Sequence, residues 1–265
     1  METISGVFAT RTAAERAVQG ASKASIPADK ITLLTPGSVD HLNKEMTSVP
    51  ADTTEQPGMG KAIGALLGGG VGITGGSLLI ALIPGVGPIT AIGLLGAAIA
   101  GAAGATIGAT VGDKMEKSTI EGLPEDEIFV YEDALRKGRS VVVALAENDD
   151  SAKRLREIMK KEGAESVDAA REQWWIGLRS AEESDYSQSG KKFAEDEKFY
   201  RLGFEAALHA RTRCMEFDQV SGEMNAALED VQRENPGVDL EEAFTRGYQR
   251  GRDHYQQLCN EKKAA

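Results

Sequence analysis

A long uncharged segment constrains the fold of this chain more than any other feature. From residue 62 to residue 112 there are 51 positions without Asp, Glu, Lys, Arg or His, and 15 of the 30 glycines lie there. About 20 apolar helical residues cross a hydrocarbon core of about 30 Å, so the segment is long enough to cross twice. Its middle is broken by a motif with two prolines, which lack amide donors. The pattern predicts a transmembrane helical hairpin over 61–112, with its turn at Pro84, Gly85, Gly87 and Pro88.

Small residues recur every four positions in both arms of this predicted hairpin. Residues four apart lie on one helical face, and small faces let helices approach closely in lipid, where packing supplies much of the association energy. The spacing therefore predicts a glycine zipper through which the chain forms a homo-oligomer in the lipid bilayer. Its helix-packing residues are Gly60, Gly64, Gly68, Gly72 and Gly76 on the first arm, and Gly96, Ala100, Gly104, Gly108 and Gly112 on the second.

Other interpretations of this segment stay open at the level of sequence. It is also compatible with a buried hairpin in a soluble oligomer, although glycine costs about 1 kcal/mol relative to alanine in a water-exposed helix. A flexible linker fits less well, because such linkers are rich in Ser as well as Gly and are polar. Residues 70–75 formally match GxGxxG, but no acid follows until Asp113, so we treat the match as chance.

Charge and flanking residues indicate location and class of partner. The net charge of −11 argues against nucleic acid as a partner, since no basic cluster is available to neutralise phosphates. The first residues show no signal-peptide pattern, and Cys214 and Cys259 fit a reducing compartment, with a single disulfide between two helices as the open alternative. Lys61, Lys114 and Lys117 flank the uncharged segment. The positive-inside rule then predicts a cytoplasmic (inner) membrane location with both termini cytoplasmic.

The sequence on either side of the insertion alternates between strand and helix patterns. Strands are predicted at about 3–9, 30–35, 140–146 and 164–169, and helices at about 11–25, 124–137 and 148–162. This order predicts an α+β fold, a ferredoxin-like βαββαβ sandwich split between residues 1–60 and 113–176, with the transmembrane hairpin inserted between its second and third strands.

Several segments together resemble a known family. They are the opening residues 6–18 (GVFATRTAAERAV), the glycine-rich insertion, the Gly122-Leu123-Pro124-Glu125-Asp126-Glu127 entry to a helix carrying Tyr131, and the strand 139–146. This layout resembles the bacterial general-stress and low-temperature-induced membrane protein family over about residues 1–170. The resemblance implies a small membrane-associated stress protein, and it transfers no catalytic or ligand-binding residue.

The C-terminal part has a different character. Residues 177–193 are predicted to be a polar linker, and 194–265 a small three-helix bundle. Tyr200-x-x-Gly203-Phe204 recurs loosely as Phe244-x-x-Gly247-Tyr248, which predicts that the outer helices meet at their Gly and aromatic faces. The adjacent Trp174-Trp175 pair fits the end of the α+β core or a membrane interface, and we favour the core.

No catalytic, cofactor-binding or metal-ligating set emerges. His209 and His254 lie on predicted helices, each with one polar residue four positions earlier, a spacing that is common on charged helices. The leading hypothesis is a non-enzymatic, membrane-anchored stress-response protein that oligomerises and presents cytoplasmic domains to an unknown protein partner. The alternatives are a pore-forming or lipid-perturbing protein, and a small-ligand sensor built on the ferredoxin-like sheet.

Overall fold

The computed structural model describes residues 2–37, 78–83, 86–93, 96, 99, 106–107, 126–213, 215–234 and 240–261. The chain divides into two units. The α/β unit comprises residues 1–124 and 130–171, and the helical unit comprises residues 125–129 and 172–265.

The α/β unit opens with the strand and helix that the sequence predicts. Strand β1 (Glu2–Phe8) leads into helix α1 (Arg11–Lys23), where the Thr10 side chain caps the helix by accepting from the Ala13 amide at 3.3 Å. The helix buries an alanine-rich stripe, and strand β2 (Ile31–Pro36) follows it. These three elements are confirmed.

Three strands follow in the uncharged segment: β3 (Leu78–Ile83), β4 (Gly87–Ile92) and β5 (Thr106–Ile107). Helix α2 (Ile128–Arg136) then precedes strand β6 (Ser140–Ala146). Helix α3 (Asp149–Lys161) starts with a capping box, in which Asn148 and Ser151 satisfy each other's backbone amides, and Gly163 at φ +84° follows its end.

Helices α1 and α3 lie on one face of the sheet and form the core of the unit with it. The alanine stripe of α1 and the apolar face of α3 pack on alternate residues of β1, β2 and β6, among them Phe8, Leu33 and Val142. All three of these residues are at most 1% exposed. The period of two in the strands and of about 3.6 in the helices therefore places one set of apolar side chains in one core.

The sheet has the order β1-β6-β2-β4-β3-β5, and its strand pairs are antiparallel. This arrangement overturns the predicted fold class. Strand β2 pairs not only with β6 but also with β4, so the sheet continues into the segment that was assigned to a membrane insertion. The predicted last strand at 164–169 is reduced to a single bridge between Val7 and Glu165. The ferredoxin-like βαββαβ sandwich with a transmembrane helical hairpin is therefore wrong.

The helical hairpin prediction fails for a physical reason in residues 78–92. An unbroken apolar run of this length is compatible with a buried strand as well as with a helix, and Ile and Thr favour the strand. The chain reverses between Ile83 and Gly87, which are register partners. Pro88 lies in β4, one residue beyond the part that pairs with β2, so its missing amide removes no bond to that strand. Within the described ranges, no helix combines the length and the apolar character that crossing a bilayer requires.

Helix α4 (Val167–Ser187) begins in the α/β unit and continues in the helical unit, which it shares with α5 (Phe193–Leu208), α6 (Phe217–Glu234) and α7 (Leu240–Glu261). The segment with the polar linker pattern is thus helical as far as Ser187.

Candidate interaction site in the helical unit

Helices α5 and α7 cross at the glycines of the repeated aromatic motif. A Cβ atom built on Gly203 would overlap the carbonyl oxygen of Phe244, and one built on Gly247 would overlap that of Tyr200. A Cβ on Gly251 would also lie 2.9 Å from the Cβ of Ala207. Only residues without a side chain allow this approach, so the predicted meeting of the Gly and aromatic faces is confirmed.

The aromatic residues of the motif belong to a larger buried cluster. Trp174 and Trp175 are 4% and 2% exposed, and each lies edge-on to Phe204 with ring centroids 5.8 Å apart. Tyr200 makes edge contacts with Tyr186 at 5.2 Å and with Phe193 at 5.4 Å. The tryptophan pair therefore packs inside the helical unit. The favoured prediction, which placed the pair at the end of the α+β core, is wrong. Edge-to-face aromatic pairs of this kind add about 0.5–1.5 kcal/mol each beyond area burial.

A buried carboxylate lies between three helices of this unit. Glu182 on α4 has a side chain only 5% exposed and accepts a bidentate pair of hydrogen bonds from Arg250 on α7, both at 3.0 Å. Its Oε2 also accepts a 2.6 Å hydrogen bond from the Tyr200 hydroxyl on α5. Burial and the hydrogen bond to Glu182 raise the pKa of the Tyr200 hydroxyl. The carboxylate thus has a charged and a neutral donor, which is the arrangement that offsets the cost of burying it.

Two acidic residues of α5 also connect that helix to α4. Glu197 accepts hydrogen bonds from Arg179 at 2.8 and 2.7 Å and from the Trp175 indole at 2.9 Å. The Arg179 guanidinium holds the pKa of Glu197 below its usual range, with the indole acting in the same direction. Asp196 accepts from the Tyr186 hydroxyl at 2.7 Å, and burial raises the pKa of that hydroxyl.

This polar network is suited to holding helices and unsuited to proton transfer. The tyrosine hydroxyls donate to carboxylates and have raised pKa values, so neither is activated as a nucleophile. Arg250 is fixed by Glu182, which also raises the pKa of the guanidinium. In the part of the chain that the structure describes, no group of three or more His, Cys, Asp or Glu is arranged to hold a metal ion.

The two histidines that the sequence singled out lie at the end of α5 and on α7. His209 directly follows α5, and its Nδ1 accepts a 3.4 Å hydrogen bond from the Arg211 amide. Glu205, four residues earlier, accepts from Arg201 at 2.7 Å. The ring of His254 on α7 packs 5.6 Å from that of Phe204.

Most of the predicted zipper and turn residues lie outside the described residues: Gly60, Gly64, Gly68, Gly72, Gly76, Pro84, Gly85, Ala100, Gly104, Gly108 and Gly112. Gly87 and Pro88 lie in β4. Gly96 is buried, and a Cβ there would come 2.7 Å from the Cβ of Ala91 on β4, so its close neighbour is a strand residue five positions earlier and its predicted role in helix packing stays a prediction.

Polar side chains that sequence reasoning missed interrupt the sheet of the α/β unit. Thr35 on β2 lies opposite Thr90 on β4, and the two are 1% and 9% exposed. On β6, Ser140 is 1% exposed. None of the described residues makes a hydrogen bond to the side-chain oxygens of Thr35 and Ser140. The sequence does show hydroxyl residues at these positions in otherwise apolar strands. Because a buried hydroxyl normally needs a hydrogen-bond partner, this pattern could have identified them.

Comparison with known proteins gives no family for this chain: no family model, no curated protein and no solved structure matches it.

Proposed function

We propose that this chain is a non-enzymatic stress-response protein that attaches to the cytoplasmic membrane and self-associates there through its uncharged segment. In this proposal the α/β and helical units present surfaces to a cytoplasmic protein partner. The observation that carries it is the run of 51 residues without a charge, flanked by Lys61 and by Asp113-Lys114. The association with stress rests on the family resemblance of the sequence.

The composition of the segment supports attachment because it combines apolar side chains with the absence of charge. It contains 18 residues of the types Val, Ile and Leu, which favour transfer to lipid, and its glycines and alanines add little cost. The helical unit supports a role in binding a partner or in assembly, since its polar groups join helices to one another and leave no activated nucleophile among those described above.

Fractionation of cells tests the attachment. We expect the full chain in the membrane pool after an alkaline carbonate wash. Replacing Leu66 and Leu67 with Lys should move it to the wash, because each lysine in a hydrocarbon environment costs about 2.5–3.5 kcal/mol. The control is Leu202→Lys, on α5, where the side chain is already 42% exposed and where the change should leave the distribution unaltered. Recovery of the unchanged chain in the carbonate wash would contradict the proposal.

Self-association is tested separately. Replacing Gly68 and Gly72 with Leu fills the predicted small face, so we expect the oligomer measured in detergent to dissociate. An oligomer of unchanged size would rule out these glycines as the contact and leave membrane attachment standing.

A further inference from the structure

The exposed side of helices α1 and α3 is basic in a chain that is acidic as a whole. The two helices carry eight Lys and Arg residues and four Asp and Glu residues, a net charge of +4, whereas the whole chain has a net charge of −11. All eight cationic residues are exposed. We call these eight exposed side chains the basic face. The rest of the chain therefore carries a charge of −15.

Contacts between the two helices hold these cations on one surface. Gly20 of α1 is so near α3 that a Cβ there would lie 2.8 Å from Cγ2 of Ile158. Arg16 of α1 donates a 2.7 Å hydrogen bond to Glu162, which directly follows α3. The two contacts run in opposite directions along the helices, so α1 and α3 are antiparallel neighbours. The last turn of α1, which contains Lys23, is therefore level with the middle of α3.

Most of these cations have no acidic partner in the folded chain. Three of the eight, all arginines, form ion pairs, with Glu15, Glu162 and Glu2. Within the described ranges no ion pair reaches the other five, which are Lys23, Lys153, Arg154, Lys160 and Lys161. Like charges that are held together without counter-charges repel one another, so an anionic surface placed against this face would stabilise it.

The helix dipoles account for only a part of this charge. The lysines in the last turns of α1 and α3 favour the negative ends of those helices. Lys153 and Arg154 lie before the last turn of α3, where the effect of the dipole has faded. The ten residues from 152 to 161 contain five cations and only one acid, Glu157. The positive charge thus exceeds what the helix ends need.

The arrangement of the cations indicates the kind of partner. They are spread along two helices of 13 residues, each about 20 Å long, instead of converging on one point. Such a spacing fits an extended array of anions better than a single small ligand. Strands β3, β4 and β5 of the uncharged segment belong to the sheet of the same unit, so attachment through that segment holds the α/β unit beside the bilayer. The cytoplasmic leaflet of a membrane offers a plane of negative headgroups there.

We propose that the basic face lies against anionic lipid headgroups when the chain is attached to the membrane. This inference rests on the proposed function, and it adds the class of lipid and the face of the α/β unit that meets it. The sheet and both helices keep the arrangement described above.

Vesicle binding by the full chain tests the inference. The probes are vesicles of phosphatidylcholine alone and vesicles of phosphatidylcholine mixed with phosphatidylglycerol. The test variant removes three cations of α3 that have no ion pair: Lys153→Gln, Arg154→Gln and Lys160→Gln. The control removes three cations from the helical unit and so changes the net charge equally: Lys191→Gln, Lys192→Gln and Lys198→Gln. Exposed substitutions of this kind should leave the helical circular dichroism signal unchanged.

We expect the unchanged chain and the control variant to bind the mixed vesicles about tenfold more tightly than phosphatidylcholine, because each cation near an anionic surface strengthens binding by about fivefold. The test variant should bind both kinds of vesicle equally. Salt at about 1 M, where the Debye length is about 3 Å, should remove the preference of the unchanged chain.

The other outcomes separate the inference from the proposed function. Equal binding of the unchanged chain to both kinds of vesicle would overturn the inference and leave attachment intact. Absence of binding to either kind would refute the proposed function, and the inference with it. Binding of soluble polyglutamate without a preference for mixed vesicles would assign the basic face to an acidic protein, which also overturns the inference.

Acetylation of lysines locates the surface that meets the vesicle. Lys153 and Lys160 should be protected from acetylation in chain bound to mixed vesicles. Lys192, in the helical unit with its side chain 78% exposed, should react as it does in the free chain. Undiminished reactivity of Lys153 and Lys160 in the bound chain would show that another surface faces the lipid and would overturn the inference.

Discussion

Gly247→Ala should destabilise the helical unit even though alanine is the better helix former. The added methyl group would overlap the Tyr200 carbonyl oxygen and lie 2.8 Å from its carbonyl carbon, at least 0.6 Å closer than the 3.4 Å of ordinary contact. Helices α5 and α7 must therefore separate, and a gap of 0.5–1 Å forfeits about a quarter to a half of each contact energy along the crossing. Such overpacking typically costs about 1–3 kcal/mol.

The intrinsic preference of alanine opposes this cost by about 1 kcal/mol. The bulky residues at the crossing, Tyr200, Phe204 and Tyr248, are fully buried and lose contact along the whole interface, so we expect the upper part of the overpacking range to apply. The net result is a loss of about 2 kcal/mol in the free energy of unfolding, measured by urea titration of the helical circular dichroism signal.

Two matched controls separate packing from propensity. Among the described residues, no atom lies within 4 Å of a Cβ built on Gly177 of α4 or Gly222 of α6, so Gly177→Ala and Gly222→Ala should each stabilise by about 0.5–1 kcal/mol. Gly203→Ala should cost as much as Gly247→Ala, and the double variant less than the sum, because the first methyl group already separates the helices. If Gly247→Ala behaves like the two controls, the close crossing of α5 and α7 is refuted.

Three other perturbations probe the buried polar groups. Glu182→Gln removes the charge that faces Arg250 and should cost about 1–2 kcal/mol in urea titration, whereas Glu183→Gln, with its side chain 44% exposed, should change little. Thr35→Val replaces by a methyl group a buried hydroxyl to which no described residue makes a hydrogen bond, and it should stabilise the chain by up to about 1 kcal/mol in thermal unfolding; a loss of stability would show that the hydroxyl has a partner. Because the pKa of Glu197 is lowered in the folded chain, its stabilisation is present above the unfolded pKa of about 4.3 and is lost as the pH falls through the folded value. The stability difference between the unchanged chain and Glu197→Gln should therefore shrink as the pH falls from 7 to about 3, and a difference independent of pH would contradict the assignment.

Local patterns were sufficient to predict several elements of the α/β unit. The alanine stripe of α1, the valine run of β6 and the Asn148 cap each carry a signal that neighbouring residues do not contradict. The arrangement of the strands was not accessible in the same way. Whether β2 ends a sheet or continues into another strand depends on pairing with residues more than 50 positions away. The apolar run there carries no period that separates strand from helix.

The helical unit shows the same division between local and distant causes. The repeated aromatic and glycine motif predicted the α5–α7 crossing, because small residues next to aromatics on a helix are a packing signal. The second half of α4, by contrast, is rich in Ser and acidic residues and has the composition of a linker. Its helix is held by Arg179, Glu182 and Tyr186, which have hydrogen-bond partners on α5 and α7. Such tertiary contacts outweigh the weak intrinsic helix propensity of this segment. They cannot be predicted from neighbouring residues alone.

The enclosure of both indoles in one unit gives the chain a built-in optical reporter. Trp174 and Trp175 are the only two tryptophans, and both belong to the helical unit. Their emission should shift to longer wavelength when that unit opens to water. The opening of the helical unit can thus be followed in the native chain without any label.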